Sequence, residues 1–158
     1  MGIKEGQAMG ENLEEYCVRT GLLLLQEWDQ ERNGGLRPQQ VAQNSEKTVW
    51  WKCELGHSWQ ARVFARTGSS HTGCPVCKGF VLQQGFNDIA TKYPELAKEW
   101  DTEKNGANTP DRITERSPRR IWWRCSRGHT WRARLSTRID RKEKCPICKE
   151  NAPWYGSK

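Results

Sequence analysis

The chain has 158 residues, a formal charge of +7, seven cysteines and nine tryptophans. Leu, Ile, Val and Phe together supply only about 16% of it, a fraction that alone reads as disorder, yet disordered segments lack tryptophan. The conflict resolves if metal sites and indoles replace the missing aliphatic core, and the length excludes a large catalytic core.

No run of eighteen apolar residues exists, the longest aliphatic stretch being Leu22 to Leu25, which excludes a membrane-spanning helix. Residues 1–6 show no apolar segment after their charge, so no signal peptide is expected. The expected location is intracellular and cytoplasmic, where closely spaced cysteines bind metal more often than they form disulfides.

In chain order, residues 13–31 read as helical, broken near Gly21, and Asn33-Gly34 ends that stretch in a turn. Strands are predicted over 48–53 and 58–64, flanking a Cys–His loop. Residues 79–86 form a connector. Asn87 is placed as the cap of a short helix, Pro94 opens another over 94–101, and Asn105-Gly106 is the next turn. Strands over 120–125 and 130–136 follow, and 151–158 is a short tail.

The second half repeats the first. Residues 27–66 and 99–138 share 17 identities in 40 positions at an offset of 72, including Glu-Trp-Asp, Asn-Gly, Trp-Trp, Gly-His and the following Trp. After one deletion the offset becomes 71 and aligns Cys74-Pro75-Val76-Cys77 with Cys145-Pro146-Ile147-Cys148. Two tandem domains are expected, 13–79 and 87–150. At the same offset Cys17 falls opposite Ile89, the place of a buried apolar residue rather than a ligand. His71 has no counterpart and reads as a loop residue.

Each repeat carries Cys-x3-His, a gap, then Cys-x2-Cys. The first set is Cys53, His57, Cys74 and Cys77; the second is Cys125, His129, Cys145 and Cys148. Three thiolates and one imidazole make a closed tetrahedral zinc environment, and two copies keep all four ligand types while the gap changes from 16 to 15 residues. Buried thiols or disulfide partners explain that less well. Two structural zinc ions are therefore expected, and a closed site leaves no position for catalytic water. Zinc binding would supply much of the folding free energy of units this lean.

Strand alternation sorts the hairpin side chains. Trp51 and Trp123 share a face with the ligand cysteines and are the expected core indoles. Trp50, Lys52 and Arg62 point outward in repeat 1, as do Trp122, Arg124, Arg132 and Arg134 in repeat 2. With Arg66 and Arg138 these are the candidate nucleic-acid contacts, since exposed aromatics stack on unpaired bases and cations meet phosphates. The bland alternatives stay open: Trp50 and Trp122 covered by the preceding helix with its Trp28 and Trp100, and the arginines as ordinary solvated charge. Residues 27–79 sum to +2 and 99–149 to +7, so the basic character concentrates in repeat 2. Such a patch favours polyanions.

The string Glu-Trp-Asp…Asn-Gly…Trp-Trp-x-Cys-x-x-Gly-His-x-Trp-x-Ala…Arg…Cys-Pro-x-Cys resembles the repeat of the probable zinc-ribbon family, regarded as treble-clef-like. The resemblance implies a small zinc-stabilised α+β fold: two tandem zinc-ribbon or treble-clef-like units, each with short helices, a β-hairpin and two zinc knuckles. It implies ligation by the four matching positions of each unit and a nucleic-acid role. Members occur in arrays or joined to nuclease domains, and the expectation here is that no segment is left to house one.

Three functions follow. The first is a non-enzymatic zinc module that binds DNA or RNA through a basic, Trp-containing hairpin face. The second is a protein-interaction adaptor or accessory subunit of a nuclease or ribonucleoprotein complex, its tryptophans serving as interface anchors. The third, an enzyme using Asp101, Glu103 or Asp111, is disfavoured because Glu-Trp-Asp belongs to a framework present twice. No membrane partner is expected.

Overall fold

In the computed structural model, which describes residues 10–150 apart from Ser70, the first element is helix α1, Leu13–Thr20. The readings of residues 1–6 and of the 151–158 tail lie outside the described residues. A capping box starts α1: Asn12 Oδ1 accepts from the Glu15 N–H at 3.0 Å, and the Glu15 carboxylate accepts from the Asn12 N–H at 3.2 Å. Gly21, in the left-handed region at φ 71°, ends it. Leu13 and Cys17, four residues apart, form its buried face.

A 3₁₀ turn, Leu23–Glu27, leads to Trp28, and a second, Pro38–Gln40, precedes the hairpin. Strands β1 (Thr48–Lys52) and β2 (Ser58–Arg62) pair antiparallel with Trp51 opposite Trp59. Helix α2, Val63–Thr67, follows at once. The sequence reading carried this strand to 64 and missed the helix, because a buried Val serves equally well as a strand's last inward residue or a helix's first.

The chain divides into two compact units, Met1–Pro75 and Val76–Lys158; each ligand set is named for the unit whose hairpin supplies its first pair, so Cys77 counts with the set of unit 1. Unit 2 runs through α3 (Ile89–Lys92), α4 (Pro94–Ala97), α5 (Thr102–Asn105) and a 3₁₀ turn, Pro110–Arg112. It continues through β3 (Arg120–Arg124), β4 (Thr130–Arg134), α6 (Leu135–Asp140) and α7 (Pro146–Glu150). Strands β3 and β4 pair in the register of unit 1, Trp123 opposite Trp131. The cap of α3 is Asp88, not Asn87: its Oδ1 accepts from the Thr91 N–H at 2.8 Å and its Oδ2 from the Gly85 N–H at 2.6 Å. Asn87 is buried and donates to the carbonyls of Val76 and Val81 while accepting from the Gln83 N–H. Both residue types cap helices well, so the choice fell to tertiary contacts.

The unit 2 core is Ile89, Trp100, Ile113, Ile121, Trp123 and Leu135. Unit 1 buries Leu13, Trp28, Val41, Val49, Trp51 and Val63. Five of these six pairs lie 72 apart; Leu13 and Ile89 lie 76 apart. The backbone fixes the equivalence, because the Leu13 N–H donates to the Val41 carbonyl as the Ile89 N–H donates to that of Ile113. Cys17 is therefore not the counterpart of Ile89. Unit 1 carries four extra residues, about one turn of α-helix, within α1, and Cys17 lies in that added turn. It is buried, as expected, but beside different neighbours in the chain.

Candidate metal centres

The first pair of ligands in each unit sits in the hairpin loop. The Cys53 N–H donates to the His57 carbonyl at 3.0 Å and the Gly56 N–H to the Cys53 carbonyl at 2.9 Å; Cys125, Gly128 and His129 repeat this at 3.1 and 2.9 Å. Gly56 and Gly128 both sit at φ 82°, which a side chain rarely tolerates, so this tight reversal requires glycine. The second pair comes from Cys74 and Cys77, and from Cys145 and Cys148 at the start of α7. His71 is exposed in a loop, and its Nδ1 meets the Gly68 carbonyl.

The structure brings the eight side chains together as two sets of four, with all ligand atoms of a set within 4.8 Å of one another. A tetrahedral zinc with Zn–S of about 2.3 Å and Zn–N of about 2.05 Å has S···S edges of ~3.8 Å and S···N edges of ~3.6 Å. In unit 1 the His57 Nδ1 lies 3.5 Å from Cys53 Sγ and 3.7 Å from Cys74 Sγ. In unit 2 Cys125 Sγ lies 3.8 Å from Cys148 Sγ, and His129 Nδ1 lies 3.6, 3.3 and 3.8 Å from Cys125, Cys148 and Cys145 Sγ. These distances, two of the six edges in the first set and four in the second, match a ZnS₃N tetrahedron. Both histidines face the site through Nδ1, so Nε2 carries the ring proton when an ion is bound.

The electrostatics agree. Burial works against the Cys125 thiolate, but the N–H groups of Arg127 and His129 outweigh it and hold its pKa below the ordinary thiol value. Burial, with the Cys145 and Cys125 sulfurs alongside, pushes Cys148 up to about 11. Thiolates this close repel one another; a dication among them reverses the balance and holds all three ionised. Four protein ligands fill the shell, so zinc there is structural.

The repeat motif explains what surrounds the sites. Arg66 and Arg138, 3% and 6% exposed, lie in the core. Each guanidinium pairs with the Glu of Glu-Trp-Asp, Glu27 or Glu99. Each also donates to the carbonyl two residues before a ligand cysteine, Thr72 or Glu143. Each lies over two indoles: Arg66 sits 4.9 and 5.3 Å from the Trp51 and Trp59 centroids, Arg138 4.9 and 5.2 Å from Trp123 and Trp131. Arg66 and Arg138, expected as nucleic-acid contacts, are thus buried rather than presented on the hairpin's outer face. The carboxylate, the carbonyl and the ring faces offset part of the desolvation, which still holds Arg66 below the ordinary guanidinium value, and the Nε of each arginine is buried without an acceptor among the described residues; the other contacts brace the loop that delivers Cys74 or Cys145.

The remaining motif residues are structural as well. Trp28 meets Trp51 edge-on at 5.6 Å, and Trp100 meets Trp123 at 5.2 Å. Asp101 is buried, caps α5 through the Lys104 N–H and accepts from Arg124; these bonds hold its carboxyl below the usual range against burial. Asn33 and Asn105 each clamp the backbone of an outward indole, donating to the carbonyl and accepting from the N–H of Trp50 or Trp122. Sequence reasoning found these as repeated letters. The roles depend on partners 17 to 39 residues away, which spacing alone does not disclose.

Of the remaining candidate contacts, Lys52, Arg62, Arg132 and Arg134 are exposed. Arg124 is exposed but paired with Asp101 and Glu103. Trp50 and Trp122 are half-buried, each with a cation over its ring: Arg32 at 4.7 Å and Lys104 at 4.6 Å. Trp28 and Trp100 cover the inner indoles instead. Among the described residues no helix is long and apolar enough to cross a membrane.

Hairpin, knuckles and ligand sets define a tandem zinc-binding module with two structural ion sites. The family described as probable treble clef zinc finger domain matches residues 24–80 and 96–151, and the chain belongs to it. No curated protein matches the chain.

Proposed function

We propose that this tandem zinc module binds nucleic acid, chiefly through the outer face of the unit 2 hairpin. One observation carries the reading: Arg120, Arg124, Arg132 and Arg134 are all exposed around the half-buried Trp122, where unit 1 has Thr48, Lys52, Gln60 and Arg62 around Trp50. Such a face suits phosphates and an unpaired base. Fluorescence anisotropy with single- and double-stranded oligonucleotides tests it. Affinity should fall roughly 50-fold between 50 and 200 mM salt if about four phosphates of a single strand are neutralised. R132E/R134E should abolish binding while leaving two zinc ions per chain. Salt-indifferent binding sinks the reading.

The same reading makes the protein non-enzymatic. The carboxylates considered for catalysis are engaged: Asp101 and Glu103 with Arg124, and Asp111 with the Gln84 amide. A second reading, the protein adaptor, draws on the exposed run Phe80, Val81 and Leu82 (67, 50 and 38% exposed). It requires a stoichiometric protein partner that survives nuclease treatment and is lost in F80D/L82D.

A further inference from the structure

Beside β4 the unit 2 surface opens into a cleft of about 330 Å³. Arg120, Arg132, Arg134 and Lys144 line it, with Trp131 and Pro146 as an apolar wall. No carboxylate pairs with any of these four cations among the described residues; the Arg120 guanidinium makes only a long hydrogen bond, 3.4 Å, to the Arg132 carbonyl. Glu143 also lines the cleft, and its nearest cation is Arg141 at 3.9 Å. The lining thus carries a net charge of +3 in a space the size of a small ligand.

Elsewhere some cations have carboxylate partners, Arg19, Arg66, Lys92, Lys98, Arg124 and Arg138 among them, and others, such as Arg62, Arg112 and Arg127, pair with none among the described residues. What sets the cleft apart is that four such cations line one concavity. Four like charges lining one concavity without carboxylate partners repel one another, and an anion there relieves that repulsion. A single phosphodiester brings one negative charge; a phosphomonoester brings ~1.5 to 2 and three strong acceptor oxygens for forked guanidinium donors. The volume exceeds what a phosphate alone fills, and the indole and proline wall offers the remainder to a sugar and base. Unit 1 supplies a contrast on the same scaffold. Its equivalents of the four cations are Thr48, Gln60, Arg62 and Gly73, one cation in four.

We propose that this cleft is a nucleotide phosphomonoester site, holding the phosphate among Arg120, Arg132, Arg134 and Lys144 and the nucleoside against Trp131 and Pro146. The proposal rests on the nucleic-acid reading and deepens it, because the ligand is then the phosphorylated end of a strand. A free mononucleotide offers the same chemistry.

The experiment uses the zinc-loaded full chain and 3′-fluorescein oligonucleotides that differ only in a 5′-phosphate or 5′-hydroxyl, with adenosine monophosphate as competitor. The phosphorylated strand should bind at least about tenfold tighter, as charge-assisted hydrogen bonds to the added oxygens predict. R120T/R132Q installs the residues that unit 1 carries at those strand positions. It should reduce the preference to within about twofold while zinc content stays at two. Preference for the strand with weak competition by the mononucleotide identifies a strand end as the source; full displacement by micromolar mononucleotide identifies a free nucleotide. Equal affinity for the two oligonucleotides overturns the cleft and leaves the nucleic-acid reading standing. Mononucleotide binding without binding of either oligonucleotide overturns that reading instead.

Discussion

Units 1 and 2 place the same arginine over the same two indoles, close the same pair of knuckles and align their inner tryptophans edge-on, yet they diverge wherever a residue is spared from that scaffold. Unit 1 adds a turn to its first helix and leaves the Trp28 Nε1 without an acceptor among the described residues, whereas the Trp100 Nε1 donates to the Asn108 carbonyl at 2.8 Å. Unit 2 spends its differences on charge, with arginines where unit 1 has Thr48, Lys52 and Gln60. The comparison separates what the metal site needs from what a partner needs. The ligands, the inner indoles and the buried arginine are identical in both copies, whereas on the hairpin face Thr48, Lys52 and Gln60 give way to arginine around a retained tryptophan and arginine, Trp50 and Arg62 in one unit, Trp122 and Arg134 in the other.

The strongest way to break the comparison is to remove one ion at a time. Cys53→Ser and Cys125→Ser should each lower the zinc stoichiometry from two to one in native mass spectrometry. Each should also unfold its own unit, since structural zinc in small modules contributes on the order of 10 kcal/mol. Loss of both ions from either variant would show that the units are not separate folding entities.

Next come the buried arginines. Arg66→Met and Arg138→Met should each cost about 3 kcal/mol, the lower end for breaking a buried pair because Glu27 and Glu99 are about one-third exposed. Lysine should not rescue either, as one ammonium cannot serve carboxylate, carbonyl and two rings together. Denaturant unfolding with zinc in excess reads this, and the two losses should match; a large difference would mean that the repeated geometry hides unequal energetics.

The smallest effect distinguishes the units by pH. The Tyr93 hydroxyl donates to Glu115 at 2.6 Å, beside Lys92, and that bond, with burial, raises its pKa to about 12. A raised folded-state value means that the stability it adds is complete below about pH 10 and is lost as the pH rises toward 12. Unit 1 carries Cys17 and Gly21 at the positions that the two registers set opposite Tyr93. Unit 2 should therefore weaken across that interval by on the order of 1 kcal/mol, and Tyr93→Phe should remove that loss. Unit 1 has its own alkaline-sensitive group in Cys17, where burial pushes the thiol up, and the Tyr93 variant should leave that unchanged. Near-ultraviolet circular dichroism during alkaline titration measures it.

Much of this was legible in the residues because the chain repeats itself. The ligand sets, the inward Trp51 and Trp123 and the outward arginines followed from spacing and strand alternation, which are local. What stayed hidden was non-local. A constant offset could not reveal a four-residue insertion bounded by weakly matching sequence, so Cys17 was set against Ile89. Arg66 and Arg138 looked like surface charge because nothing near them in sequence announces the glutamate 39 residues earlier or the indoles beneath them. The helices that follow β2 and β4 were missed because Val63 and Leu135 satisfy both patterns.

The buried arginines also locate where the copies tolerate change in length. Arg66 reaches a carbonyl six residues ahead and Arg138 one five residues ahead, so the single deletion that alters the ligand gap falls inside this span. With both ends of the span anchored, its contour is decoupled from the coordination sphere. A foreign peptide grafted there would be displayed beside the ion without having to be compatible with it.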